Sequence, residues 1–118
     1  MGAVERINKV FQNAETIPID DSSKLILMSD VHRGDGSWAD DFMRNENLYY
    51  GALSHYFQEN YTYIELGDGD ELWKFRKMSD IVPIHKDIFL LLQKFHKAGR
   101  LYMLFGNHDM VKYKNKYV

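Results

Sequence analysis

The stretch that decides the fold reads Leu101-Tyr102-Met103-Leu104-Phe105-Gly106-Asn107-His108-Asp109. Its first five residues are apolar or aromatic, and the run ends abruptly at a glycine followed by three polar residues. A short apolar run bounded in this way is typical of a parallel strand that is covered on both faces. We therefore predict a buried strand over residues 101–105, which ends in a corner carrying an amide, an imidazole and a carboxylate.

Two earlier segments end in the same way. An apolar run over residues 24–28 leads into Asp30 and His32, and a β-branched and aromatic run over residues 61–66 leads into Asp68. Both runs predict strands. We call the polar segments that follow the three runs, beginning at Asp30, Asp68 and Asn107, the three polar exits. They recur at nearly equal spacing, and each interval has room for one strand–helix–strand unit.

Helices are predicted in the intervals from apolar residues at helical spacing, over residues 3–14, 42–59 and about 79–99. The residues predicted to face the core are Leu48, Tyr49, Ala52, Leu53, Tyr56 and Phe57 in the second helix, and Ile81, Ile84, Ile88, Leu91, Leu92 and Phe95 in the third. We expect Ser79 or Asp80 to cap the third helix, Pro83 to lie in its first turn and Gly99 to end it. The tail over residues 110–118 is also assigned to helix.

This order of elements predicts an α/β fold, in which parallel strands are joined by right-handed crossovers. With 118 residues the chain forms one domain at most, and an apolar fraction of 45% is ordinary for a folded protein. The net charge of −2 gives no indication of nucleic-acid binding. Cysteine is absent, which excludes disulfides and thiolate metal sites. No membrane span or secretory signal is predicted, so we expect a cytoplasmic protein.

The polar exits are expected to meet at one edge of the sheet, because the carboxyl ends of parallel strands lie together. Several carboxylates in one crevice repel one another unless a cation lies between them. Oxygen and imidazole donors without thiolate suit manganese, iron, zinc or magnesium. Two such ions sharing a carboxylate would suit an in-line attack on phosphorus.

Three motifs in order carry a resemblance to a known family. Asp30-x-His32, Gly67-Asp68-x-x-Glu71 and Gly106-Asn107-His108-Asp109 resemble the calcineurin-like metallophosphoesterase superfamily, over residues 24–110. The segment Glu71-Leu72-Trp73 is also similar to the branch containing UDP-2,3-diacylglucosamine diphosphatase, although that branch often carries arginine at the position of His108. The resemblance implies the amino-terminal half of a layered α/β/β/α sandwich with parallel central strands.

The resemblance also implies roles for individual residues. The implied ligands of two divalent metal ions are Asp30 and His32 for the first ion and Asn107 for the second, with Asp68 shared between the ions. Asn107 is also assigned to substrate binding. Manganese is the preferred metal, and iron, zinc or magnesium are alternatives. His108 would contact the phosphate and protonate the leaving alkoxide, with Asp109 orienting it, while a metal-activated hydroxide attacks a phosphomonoester or phosphodiester.

Several residues near the motifs admit two interpretations. Arg33 either contacts the substrate phosphate, which its guanidinium matches in geometry, or is a solvated loop residue. Glu71 is expected to support the loop around the site rather than bind metal directly. Trp73 either lines a substrate pocket or only pins its loop. The remaining histidines, His55, His85 and His96, are interpreted as ordinary helix residues.

The chain departs from the family pattern in one respect. The family's further histidines, a lone His and then Gly-His-x-His, are not present, so we expect residues 1–118 to be a single partial domain of a longer enzyme. A three-stranded open sheet would then leave an unpaired edge and an uncovered face. The alternative is a truncated or degenerate member that acts as a non-catalytic metal-binding or interaction module. The sequence indicates neither the substrate nor the oligomeric state.

Overall fold

A computed structural model describes residues 2–113 of the chain. Its helices and strands, in chain order, are α1 (Ala3–Gln12), β1 (Leu25–Met28), α2 (Glu46–Gln58), β2 (Thr62–Leu66), α3 (Met78–Ile81), α4 (Lys86–Lys97) and β3 (Leu101–Leu104). Short 3₁₀ turns occupy Met43–Asn45 and Met110–Tyr113. The rest of the tail that was assigned to helix, residues 114–118, lies outside the described residues.

The three strands form one open parallel sheet in the order β1-β2-β3. Tyr63, the second residue of β2, pairs with Ile26 on one side and Leu101 on the other, so the strands are in close register. Strand β2 lies between β1 and β3, the strands that precede and follow it in the chain. The predicted α/β class with parallel strands is therefore confirmed.

The hydrophobic core lies on one face of this sheet, between the strands and the helices α2 and α4. Its buried members are Phe42, Tyr49, Leu53, Tyr63, Ile88, Leu91, Leu92 and Phe95. The opposite face is exposed at Leu27, Leu66 and Leu104, of which Leu104 is 49% exposed. The prediction that the last strand is buried on both faces is therefore wrong for this chain, whereas the expected uncovered face is present.

The predicted buried faces of the helices are confirmed only in part. Tyr49 and Leu53 of α2 are buried, but Leu48 points outward and is 77% exposed. Helix α1 forms close to its predicted bounds, yet all of its residues are exposed, including the apolar Val4 and Phe11. Local spacing therefore located α1 and α2 without determining how each one packs.

The helix predicted from Ser79 onward is interrupted. Met78–Ile81 forms a single turn, α3, that begins after Lys77, and the long helix α4 begins only after His85. Pro83 lies between the two, where its missing N–H and its ring prevent a continuous helix. His85 is fully buried, and its two ring nitrogens each lie 2.8 Å from a carboxylate, that of Asp40 or that of Glu46. The interpretation of His85 as an ordinary helix residue is therefore wrong.

Helix α4 ends as predicted at Gly99, which adopts a left-handed conformation with φ of 71°. The Gly99 N–H donates to the His96 carbonyl at 2.9 Å, and the Arg100 N–H donates to the Phe95 carbonyl at 2.8 Å. This pair of bonds is the Schellman motif, which satisfies carbonyls that would otherwise lack partners at the helix end. The chain then turns directly into β3.

Alanine substitutions at two glycines should have opposite effects on stability. Gly99→Ala should lower the free energy of unfolding by about 1–2 kcal/mol, because a left-handed backbone strains a residue with a Cβ. Gly51→Ala, inside α2, should raise it by about 0.4–1 kcal/mol, because alanine restricts the unfolded chain. A new Cβ meets no neighbouring atom at either position, so each variant is a control for the other. Urea denaturation measures both values, and changes of the same sign would contradict this assignment.

Candidate metal centre

The three polar exits meet at the carboxyl edge of the sheet, as predicted. Asp30 and His32 follow β1, Asp68 follows β2, and His108 follows β3. The His32 N–H donates to the Asp68 carbonyl at 2.9 Å, and the His108 N–H donates to Asp68 Oδ1 at 2.8 Å. Asp68 thus connects all three exits through hydrogen bonds.

The backbone at these exits is held in an uncommon conformation. Asp30, His32 and Asp68 have positive φ values of 58°, 53° and 52°. Residues other than glycine adopt this left-handed region only occasionally, and such strain clusters at functional sites. The surrounding hydrogen bonds keep all three side chains directed at one region.

Gly106 allows the third exit to approach Asp68 closely. A Cβ at position 106 would lie 2.2 Å from Asp68 Oδ1 and 2.7 Å from the Asp68 backbone nitrogen. Both separations are too short for any side chain, so only glycine fits between β3 and the Asp68 carboxylate. The close contact with Asp68 therefore explains why the Gly-Asn-His-Asp motif begins with glycine.

Asp30, His32 and Asp68 form the first group of candidate ligands. One donor atom from each lies within 4.8 Å of the others, and His32 Nε2 is 3.4 Å from Asp30 Oδ1. The Ser29 hydroxyl donates to Asp30 Oδ2 at 2.6 Å, and this bond, together with His32, holds the pKa of Asp30 below its usual value. Two carboxylates and an imidazole at this separation are chemically suited to a divalent cation.

His32, Glu71 and His108 form the second group. Nδ1 of His32 lies 3.2 Å from Glu71 Oε1, and Nδ1 of His108 lies 2.8 Å from the same oxygen. Burial raises the pKa of Glu71, but the hydrogen bond and charge of His108 outweigh it, and the pKa is lowered overall. An ionised Glu71 only accepts hydrogen bonds, so each imidazole must present its Nδ1–H to it. The Nε2 atoms of both rings are then left for other partners.

The ring of His108 is held from two further directions. The indole of Trp73 stacks on it with the ring centroids 3.8 Å apart, and His32 meets it edge-on at 4.8 Å. Trp73 therefore restricts the ring of His108. The sequence had suggested only that Trp73 lines a substrate pocket or holds its own loop in place.

Asp109 does not contact the His108 ring, contrary to the prediction that it orients this residue. Its carboxylate accepts backbone N–H bonds from Gly106 at 2.7 Å, Gly69 at 3.0 Å and Asp68 at 3.3 Å. These bonds tie the second exit to the third. The carboxylate that orients His108 is that of Glu71.

Asn107 lies at the third exit, and its side chain is exposed. Its assignment as a ligand of the second metal and of substrate stays a prediction.

Arg33 is placed in the interior, and neither interpretation made from the sequence describes it. Its side chain is fully buried, with Nη1 2.7 Å from Glu65 Oε1 and Nε 2.8 Å from Asp70 Oδ1. We call these three residues the Arg33 cluster. Its guanidinium faces the core side of the sheet, where a substrate does not reach it. The missed signal was Glu65, a charged residue at a core-facing position of an otherwise apolar strand.

Further polar groups extend the Arg33 cluster in both directions. The Tyr63 hydroxyl donates to Glu65 at 3.0 Å, while Lys112 contacts both Asp70 and Asp109. Burial raises the pKa of Asp70, but the nearby charge of Arg33 outweighs this effect and lowers it overall. A continuous polar network therefore runs from beneath the sheet to the hydrogen bonds that hold the candidate site.

The site opens into a cleft of about 540 Å³. Asp30, His32, Glu71 and His108 line one part of it, and Asp41, Arg44 and Lys74 line another. This volume is within the range of small-molecule sites in proteins. Asp30, His32 and His108 are thus accessible from solvent.

The fold and this site define an α/β domain with a cluster of carboxylates and imidazoles at the carboxyl edge of a parallel sheet. Comparison with known proteins finds no matching family model, no matching curated protein and no matching solved structure. Within residues 2–113, every helix is too short or too polar to cross a bilayer.

Proposed function

We propose that this protein is a metal-dependent phosphoesterase, of the class represented by the calcineurin-like metallophosphoesterases, which hydrolyses a phosphomonoester or phosphodiester. The observation that carries the proposal is the convergence of Asp30, His32 and Asp68 within 4.8 Å, beside a histidine held by a buried glutamate. The order of the three motifs along the chain supports the same class.

The residues fit a divalent metal ion. Their donors are carboxylate oxygens and an imidazole nitrogen, and His32 Nε2 lies on the side of Asp30 because Nδ1 faces Glu71. This set favours manganese, with iron, zinc or magnesium as alternatives. When bound, divalent ions supply positive charge that activates water and offsets the charge of the phosphate.

His108 is the general acid in this proposal. Glu71 holds its Nδ1–H at 2.8 Å and Trp73 restricts the rotation of its ring, so Nε2 is the atom directed at a substrate in the cleft. A proton leaving Nε2 would pass to the alkoxide of the departing alcohol. Glu71 stabilises the charged imidazolium before the transfer and keeps the ring in place after it.

The second candidate function is a metal-binding or interaction module without catalysis. The exposed apolar residues on the open sheet face and on α1 favour it, because contiguous apolar surface often marks a contact with another protein. Both functions share the same metal ligands, so turnover rather than metal binding separates them.

Hydrolysis of a chromogenic phosphomonoester and its diester, measured while manganese is titrated, tests the proposal. We expect turnover that depends on manganese and stops when a chelator is added. Asp68→Asn should weaken manganese binding in calorimetry, because it removes the carboxylate charge that the exits share. Asp87→Asn, an exposed residue in the first turn of α4, is the matched control. Manganese binding without turnover would favour the metal-binding module, and absence of binding would refute both the phosphoesterase and the metal-binding module.

A further inference from the structure

The cleft beside the candidate metal centre is divided by charge. Asp30 and Glu71, which lie beside the two histidines in one part of its lining, repel an anion until a metal ion is bound. Its other part carries Arg44 and Lys74, which we call the cationic rim. The rim attracts anions by itself. A molecule that fills the cleft would therefore meet the two parts with two different groups.

Contacts with one carboxylate position the cationic rim. Lys74 Nζ lies 3.0 Å from Asp41 Oδ2, and Arg44 Nη2 lies 4.0 Å from Asp41 Oδ1. The hydrogen bond from Lys74 is the main cause that holds the pKa of Asp41 below its usual value. Asp41 is thus a charged partner for both cations and leaves the rim with positive charge in excess.

These contacts are of a kind that a ligand can replace. The side chains of Arg44, Asp41 and Lys74 are 83%, 67% and 47% exposed. Ion pairs as exposed as these contribute little to stability. An incoming dianion can therefore take the place of Asp41 without disturbing the fold, and the arginine fork matches the oxygens of a phosphate.

We propose that the cationic rim binds a second phosphate of the substrate, so that the substrate class is a small molecule with phosphate groups at two positions. This inference rests on the proposed function, since the first phosphate is the one held at the metal centre. The lining of the cleft supports it, because Arg44 and Lys74 lie in the same cleft as the candidate metal ligands.

Calorimetry with two phosphonates that cannot be hydrolysed tests the inference. Butylphosphonate and butane-1,4-bisphosphonate, with its longer homologues, are titrated into the manganese-loaded protein. We expect the best bisphosphonate to bind about tenfold more tightly than the monophosphonate, which corresponds to one charged contact. Lys74→Gln and Arg44→Gln should each reduce this preference, and the double variant should remove it. Lys77→Gln, which loses the same charge at an exposed position away from the cleft, should retain it.

The outcomes separate this inference from the proposed function. Equal affinity for the two kinds of phosphonate, or a preference that survives the double variant, would overturn the role of the rim alone. Manganese-dependent hydrolysis of simple esters would still stand in that case. Failure of both phosphonates to bind the manganese-loaded protein would overturn the inference, and with it the first phosphate site on which it rests. Circular dichroism establishes that each variant is folded.

Discussion

Arg33→Met should lower the free energy of unfolding by about 3–5 kcal/mol, because it leaves the Glu65 carboxylate buried without a cation and leaves Asp70 with Lys112 alone. The guanidinium contacts both carboxylates, and none of the three side chains is more than 1% exposed. Methionine fills much of the volume but supplies neither charge nor hydrogen bonds. The loss should exceed that of a typical surface substitution several times over.

Urea denaturation of the purified protein measures this effect. Arg44→Met is the matched control, since the same change at a side chain that is 83% exposed should stay within about 0.5 kcal/mol of wild type. Arg33→Lys should give an intermediate value, because lysine keeps the charge and loses the fork that reaches two carboxylates. A loss below about 1 kcal/mol for Arg33→Met would contradict the buried cluster.

His108→Gln should lower kcat by about 10²–10⁴-fold if the proposed function is correct, because it removes the proton donor to the leaving group. Glu71→Gln should lower kcat by about 10–100-fold, since it keeps the shape but weakens the bond that orients His108. Both variants should retain most of their stability. The larger effect is therefore expected on the chemical step, with KM changed less.

Steady-state kinetics with a chromogenic ester at saturating manganese measures both constants. Asp80→Asn, an exposed carboxylate in α3, is the control for the carboxylate change and should leave kcat as in wild type. Unchanged kcat in His108→Gln would mean that another group protonates the leaving alcohol. A normal kcat in Glu71→Gln would show that the hydrogen bond at 2.8 Å is structural only.

The parts of the fold that the sequence predicted are those that local pattern determines. The apolar runs ending at Asp30, Asp68 and Asn107 predicted three strands with their exits at one edge, because strand and crossover geometry leave few alternatives. The start of α4 was not predicted. It depends on the helix break at Pro83 and on the hydrogen bonds of His85 to the carboxylates of Asp40 and Glu46. Those carboxylates are distant in sequence, so spacing alone does not reveal the contact.

The same distinction applies to the candidate site. The residue types and their order predicted that Asp30, His32, Asp68 and His108 would come together, and they do. The partner of His108 was assigned to the adjacent Asp109, whereas the structure pairs it with Glu71 from another exit. At this tight turn the carboxylate of Asp109 points away from the ring of its neighbour His108. The three-dimensional path of the chain decides which carboxylate reaches the ring.

At Asp30, His32 and Asp68, the left-handed backbone and the need for a side chain that can hold an ion favour different residue types. Glycine is the residue that this geometry accepts at no steric cost, yet glycine has no side chain with which to hold an ion. Glycine would relieve the backbone strain at each position, but it would remove the candidate ligand and, at position 68, the carboxylate that accepts the His108 N–H. At this corner of the sheet, the backbone strain and the side chains of the candidate metal centre therefore belong to the same residues.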